Sequence, residues 1–403
     1  MKRITAFLLA TVMMLTLTAC GQEPTDKPPV TSPNSVTDPT TPTDPGKLSP
    51  IYKIDSYSGS AEDVIANRDT VVATFGDKEL TNGTLQLYYW LDVYDFISNN
   101  DFSAYGMSLS KPLDQQKCGD TGTWQHYFLA GALSSWNYHQ ALAMMAEKEN
   151  VPLNAYYQKL LDNLEEELTQ SALDGGFNSI DEMIQADAGP GCTIEDYRQY
   201  RQVLYAAQNF CYSKVNAMSF TEQQIDEYFT ENEAALAFSG ITKELGNCHR
   251  VRHILLKIKP EATDKDWDQL QLDAQALLDQ WKSGEATEES FAALAVEKSE
   301  DPGSVNYGGL YQGLTEQTSF LQPFKDWYLD ESRQVGDYGL VKTTAGYHIM
   351  YYSGEEPIWY AYCREMMTSD AVAEIENAAL DQFAAVIHYD KILLGEVSLE
   401  EEK

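Results

Sequence analysis

Two imidazoles sit inside runs that otherwise read as buried β-strands: His253 in VRHILLK, residues 251–257, and His348 in GYHIMYY, residues 346–352. A histidine can transfer protons, ligate a metal or organise a hydrogen-bonded network, because its ordinary pKa lies close to neutrality. Strand residues alternate faces, so Ile254, Leu256 and Ile258 share one side and His253 and Leu255 the other. By the same count Tyr347, Ile349 and Tyr351 face one way, His348 and Met350 the other. Both rings therefore point away from the main apolar run, and neighbouring strands would bring them together in one concave, partly apolar site. Asp301, in SEDPGS, lies between the two strands, where Pro302 and Gly303 suit a turn. Other chemistries lack parts. Cys248 beside His249 is half a metal site with no second pair at ligand spacing. No Gly-x-Ser-x-Gly elbow supports a Ser-His-Asp hydrolase.

These residues belong to a chain of 403 residues, long enough for two globular units plus tails. The formal charge is −34, from 62 acidic and 28 basic residues. A nucleic-acid or anionic-lipid face needs clustered Lys and Arg, so that class is excluded, and the acidic excess reads as a solvated surface. Lys2 and Arg3 precede an apolar stretch from Ala6 to Leu17, too short to span a bilayer, which ends in LTAC at Cys20. Residues 21–50 hold eight of the fifteen prolines and read as an extended tether. Five further cysteines, Cys118, Cys192, Cys211, Cys248 and Cys363, form an odd set from which no disulfide pairing can be read.

The folded part opens with a strand from Val71 to Phe75, a turn at Gly76 and Asp77, and a helix capped near Thr81 or Asn82. Helical periodicity follows at 126–148, 152–172, 193–213 and 221–238, the last with a capping box of Thr221 and Gln224. His126 and His139, within these helices, have no acid or second ligand close in sequence and read as structural. Composition shifts near Asn247. A strand from Arg250 to Lys259 leads to helices from Asp264 to Lys282 and from Glu288 to Glu297. A Gly-Gly turn at 308 and 309, a short helix around LQPFKDWYL, and strands near 338–343 and 347–353 complete the unit. The order β-α-α-β-α-β-β predicts a small antiparallel sheet with helices laid on it. A final amphipathic helix at 369–387 has no core of its own. It is expected to pack back on the first unit, making the sheet unit an insertion.

RHILLK, FAALAVEKSEDPGS, GGLY, PFKDWYLD, VGDYGLVKT and GYHIMYY, in this order, resemble the parvulin-type peptidyl-prolyl cis-trans isomerase domain, over about residues 247–354. LTAC resembles a bacterial lipobox, with Cys20 the lipid-modified residue. The whole layout resembles the extracytoplasmic foldases of the PrsA and SurA type. The resemblance implies an α+β fold, a mostly helical chaperone-like domain with an inserted parvulin domain. Its segments are a signal peptide at 1–19, a lipidated cysteine and tether at 20–50, and helical sequence at 51–246. The isomerase domain follows at 247–354, and a returning C-terminal part at 355–403.

It further implies His253, His348, Asp301 and Thr343 as catalytic residues, with Thr343 bonding the second imidazole. Phe324, Phe320, Leu310 and Met350 are the implied proline-binding residues. The family's Gly-Gly-Asp-Leu-Gly is here GGLYQG, and Ala345 stands where a small hydroxyl residue is frequent. No metal or cofactor is implied. Expected partners are unfolded exported proteins and proline-containing peptides, with the lipid at Cys20 holding the chain on the outer side of a bacterial cell membrane. Pairing into a homodimer stays open. The alternative function is a non-catalytic holdase that uses the same domain to bind peptide. A solute-binding lipoprotein fits less well, because long helical runs replace the alternating βαβ pattern of such proteins.

Overall fold

The computed structural model describes residues 50–120, 122–383 and 385–399. The signal-like start, Cys20 and the rest of the tether up to residue 49 lie outside the described residues. Helix α1 (Ala61–Ala66) leads into strands β1 (Val71–Phe75) and β2 (Lys78–Thr81) and helix α2 (Asn82–Asn99). A small ribbon, β3 (Lys117–Cys118) and β4 (Gly122–Thr123), precedes α3 (Trp124–Glu149), α4 (Ala155–Asp162), α5 (Leu164–Gly175), α6 (Ile180–Ala188), α7 (Ile194–Ala217) and α8 (Glu222–Phe238). The sheet unit follows as β5 (Asn247–Lys257), α9 (Asp264–Ser283), α10 (Glu288–Lys298), β6 (Leu310–Leu314), α11 (Gln322–Tyr328), β7 (Tyr338–Thr343) and β8 (Gly346–Pro357). Helix α12 (Ile358–Gln382) continues directly from β8, and β9 (Val386–Ile387) is the last strand among the described residues.

Side chains placed in the sequence start these helices. Capping boxes join Thr123 to His126, Thr221 to Gln224, Thr263 to Asp266 and Thr287 to Ser290, each satisfying backbone donors that the first turn leaves free. The single helix expected over 152–172 is two. Asn154 caps the first, and the chain turns at Asn163, a weak helix former, before α5. The helix expected at 369–387 starts eleven residues earlier, at Ile358, because β8 runs on to Pro357, and it ends at Gln382. Val386 and Ile387 are strand instead, paired with Thr74 and Ala73 of β1.

The larger core gathers α2, α3 and α7 around residues such as Leu85, Leu129 and Phe210. The C-terminal segment joins that core through Ala379, Ile392 and Leu394. Polar contacts tie it down as well. The Tyr138 hydroxyl donates to Glu376 Oε1 at 2.5 Å, and Asn82 Oδ1 accepts from the Leu393 backbone at 2.9 Å. The chain thus leaves the helical body after α8, builds the sheet unit and returns along α12.

The sheet order is β6-β5-β8-β7, with every neighbouring pair antiparallel. Ile254, Ile349 and Tyr351 face α9 and α10, where they pack with Ala274, Leu278, Trp281 and Phe291. The opposite face sets Val251, Met350 and Val341 against Phe324 and Tyr328 of α11. Gly309 has to be glycine on this edge. Its φ is +75°, and a Cβ there would lie 2.3 Å from the His253 carbonyl oxygen.

Candidate active site

The pairing register of β5 and β8 sets Leu255 opposite His348 and His253 opposite Met350. This diagonal brings the two imidazoles to a stack, ring centres 5.3 Å apart and planes 20° from parallel. Their Nδ1 atoms lie 3.1 Å apart, so one hydrogen occupies the gap and one ring accepts what the other donates. The outer nitrogens have separate partners. His253 Nε2 stands 2.8 Å from Asp301 Oδ2, and His348 Nε2 stands 2.8 Å from Thr343 Oγ1. The Thr343 oxygen accepts the Ala345 backbone N–H at 3.1 Å, leaving its own hydrogen free for His348.

A consistent set of tautomers follows. A carboxylate opposite Nε2 requires His253 to carry its proton there, so a neutral His253 accepts at Nδ1. His348 then donates from Nδ1 and accepts from Thr343 at Nε2. Burial, followed by the neighbouring His253, pushes the His348 pKa down to about 4, and the Asp301 charge opposes this only in part. His348 is therefore neutral near pH 7. For Asp301 burial alone would raise the pKa, but the His253 ring, the Ser304 hydroxyl and the Tyr311 hydroxyl together hold it well below the usual carboxylate range. The site thus presents one fixed negative charge to two stacked rings.

Phe324 is the aromatic base of this arrangement. Its ring meets both imidazoles edge-on, at 5.2 Å from each, and lies 4.9 Å from Phe320. Met350 is fully buried in the same apolar cluster, whereas Phe320 and Tyr311 are only half-buried at its margin. The Asp301 side chain keeps 15 % of its surface open. Asp301, Tyr311 and Phe320 therefore form the accessible lip, and Phe324, Met350 and the histidines the floor.

One candidate is misplaced. Leu310 pairs with Arg252 on β5, so it shares the face that packs on α10, opposite His253. The residue that turns to the site is its neighbour Tyr311, whose hydroxyl donates to Asp301 Oδ2 at 3.1 Å and whose ring lies 5.4 Å from His253. Alternation along GGLY carries that signal, since one step along β6 exchanges the faces. Ser304 was also missed. Its hydroxyl donates to Asp301 Oδ2 at 2.5 Å and sits 3.0 Å from His253 Nε2. Its spacing, three residues after Asp301 in a Pro-Gly turn, is the available clue.

The remaining candidates lie elsewhere or outside. Cys248 and His249 do not converge with other ligands, and among the described residues no group of three or more His, Cys, Asp or Glu side chains is placed to hold a metal. The five described cysteines are free thiols. His126 closes a capping box and reaches the Ile54 carbonyl at 2.9 Å, a structural role. No helix among the described residues is long and apolar enough to cross a membrane.

Residues 253–354 match the family model described as rotamase, PPIC-type PPIase domain. No curated protein matches the chain. Among solved structures, it is similar to a peptidylprolyl isomerase (PrsA) of Bacillus anthracis, at 12 % identity over 62 % of this chain and 94 % of that one, with a TM-score of 0.22. The foldase protein PrsA of Streptococcus pneumoniae gives 15 % identity, 62 % and 82 % coverage and a TM-score of 0.21. A SurA-like chaperone of Campylobacter jejuni gives 17 %, 78 %, 94 % and 0.20. With the paired histidines, Asp301 and the aromatic base all inside the matched stretch, residues 253–354 form a PPIC-type peptidyl-prolyl isomerase domain.

Proposed function

We propose that this protein is a membrane-anchored extracytoplasmic foldase that turns X-Pro bonds in newly exported, unfolded chains. The observation that carries the reading is the stacked His253–His348 pair seated on Phe324 with Asp301 at its lip. Rotation about an X-Pro bond breaks amide resonance against a barrier of about 20 kcal/mol and takes tens to hundreds of seconds unaided. In the planar amide the carbonyl oxygen carries extra negative charge, and in the twisted one that charge returns to nitrogen. An apolar cradle of Phe320 and Phe324, backed by the buried Met350, holds the pyrrolidine ring and strips water from the carbonyl. Asp301, ionised beside it, disfavours the charge-separated planar form, so the site binds the twisted amide better than either planar one. The imidazoles keep Asp301 and the floor in register, and no proton transfer to substrate is required.

The anchoring half of the proposal rests on the LTAC sequence at Cys20 behind a charged and then apolar start. Multiple acyl chains on a lipidated Cys20 would hold the protein stably at a membrane surface, since one chain alone binds only marginally. The Pro-rich tether would reach at most about 90 Å at roughly 3.1 Å per residue, lifting the helical body and the isomerase domain clear of the lipid.

Refolding of a client whose slow phase is limited by an X-Pro bond separates a foldase from a holdase. A foldase shortens the slow phase in proportion to its concentration, and Asp301→Ala abolishes the effect. Suppressed aggregation with an unchanged slow phase would leave only the holdase. Metabolic labelling with palmitate checks the anchor: incorporation that is lost in Cys20→Ser supports it, and equal labelling or none in both contradicts it.

A further inference from the structure

The loop that carries Asp301 and Ser304 does not belong to the sheet unit alone. From the sheet side it is held by Arg252, whose Nη1 donates to the Tyr307 and Gly308 carbonyls at 2.8 and 3.0 Å, and by the His253 N–H, which donates to Gly309. Within the loop, Val305 N–H donates to the Asp301 carbonyl at 3.0 Å and Gly309 N–H to that of Ser304 at 2.8 Å. It is one rigid turn, and whatever moves Asn306 moves Asp301.

Asn306 is buried and reaches away from the isomerase site, into the helical body. Its Oδ1 accepts from Asn154 Nδ2 at 3.0 Å, its Nδ2 donates to the Tyr157 hydroxyl at 3.1 Å, and its backbone carbonyl accepts from Asn216 Nδ2 at 2.8 Å. The partners are fixed in turn. Asn154 caps α4 and takes its own backbone bond to Asn209 Oδ1, and the Tyr157 hydroxyl donates to Gln208 Oε1. Next along the loop, the Tyr307 ring packs edge-on against Tyr212 of α7 at 4.9 Å. Tyr156 of α4 lies within the field of the Asp301 charge, which adds to burial and to Tyr205 in raising its phenol to about 12. A side chain that donates and accepts at once is needed to close this network, and an amide of this length does so. A fully satisfied buried network specifies one arrangement, because any shift leaves polar groups unpaired.

We infer that Asn306 is a positioning residue through which helices α4 and α7 of the helical body hold Asp301 and Ser304 against His253, so that turnover in the isomerase domain depends on how the body grips that loop. The inference rests on the isomerase reading of the site. It makes the helical body part of the catalytic apparatus as well as a surface for clients.

The test uses the full chain in three forms: wild type, Asn306→Ala, and the double variant Asn154→Ser with Asn216→Ala. Serine keeps the α4 cap, so the double variant removes both donors to Asn306 without touching the isomerase domain. Two experiments are run: kcat and KM on an X-Pro peptide by NMR exchange, and the 15N shifts of the His253 and His348 rings. The expected result is a loss of roughly tenfold in kcat with KM within about twofold, because the apolar cradle is untouched while Asp301 drifts. The His253 Nε2 resonance should shift in both variants. Wild-type kcat and wild-type ring shifts in the double variant would overturn the inference. If the wild type itself fails to isomerise the peptide, the function proposed above falls, and the ring shifts alone decide whether the body positions the loop.

Discussion

A single lowered pKa gives the clearest residue-scale expectation. His348 titrates at about 4 against an ordinary 6.5, so below pH 6.5 the unfolded chain takes up a proton that the folded ring refuses. The stability this ring contributes is present above 6.5 and is lost as pH falls toward 4. Asp92 and Asp187 act with the opposite sign. Burial raises them from 3.8 to about 8 and about 7, so their stabilising contribution is full below 3.8 and is lost as pH rises from there through those values. The His348 effect is therefore isolated by difference: the stability gap between wild type and His348→Gln should shrink from pH 7 to pH 4, followed by urea titration. A constant gap would contradict the assigned neutral state. Tyr311→Phe removes one of the hydroxyls that hold Asp301, and a charge-assisted bond of that kind contributes about 1.5–3 kcal/mol. An upward shift of the Asp301 titration, seen by carboxyl 13C NMR, is expected. His253, His348, Asp301, Thr343, Phe320, Phe324 and Met350 were legible as candidates because motif order and strand alternation single them out. Ser304 and Tyr311 were not, since a serine in a turn and a tyrosine in a short strand are commonplace until the fold brings them to a carboxylate.

At the scale of elements, β5 and β8 have to pair for the two rings to meet at all, and the edge strand β6 has to approach closely enough to bring Tyr311 in. Gly309 sets that approach. Alanine there would hold a left-handed backbone at a cost of about 1–2 kcal/mol and in addition press on the His253 carbonyl. Gly309→Ala should lower the urea midpoint and disturb the His253 ring shift together, whereas an unperturbed ring would show that β6 does not position the site. The order β-α-α-β-α-β-β was readable from periodicity and turn residues. Leu310, which the resemblance implied as proline-binding, lies on the face away from the site, as its register with Arg252 shows; one step along a strand exchanges the faces. The ends of α12 and the break at Asn163 escaped for a related reason: periodicity finds the middle of a helix far better than its ends.

The described part of the molecule closes on itself where β9 pairs with β1 and the segment after β9 meets the start of α2. Asn82 spans that seam, accepting from Leu393 N–H and donating to the Lys391 carbonyl at 3.1 Å while fully buried. Asn82→Ala leaves both backbone groups unpaired and should cost about 1–3 kcal/mol for each, measured by urea unfolding of the full chain. A loss under about 0.5 kcal/mol, the range of ordinary surface changes, would mean that Asn82 does not hold the seam. A second contact, from Arg364 to both Glu356 oxygens and to Gln312, fixes the sheet unit against α12. Neither contact was visible in composition or spacing: Asn82 and Leu393 lie 311 positions apart, and Arg364 and Gln312 lie 52 apart on different elements. The central claim is that the floor of Phe324 and the stacked imidazoles, with Asp301 at the lip, catalyse X-Pro rotation. Its most direct measurement is the cis-to-trans rate of an X-Pro peptide with catalytic amounts of the full chain, of Asp301→Ala and of Phe324→Ala. Acceleration by the wild type with a fall of roughly 100-fold in kcat/KM for Asp301→Ala, the size expected for removing a preorganised charge, and a comparable loss for Phe324→Ala is the predicted result. A wild-type rate no faster than the uncatalysed one, or equal rates in all three, would contradict it.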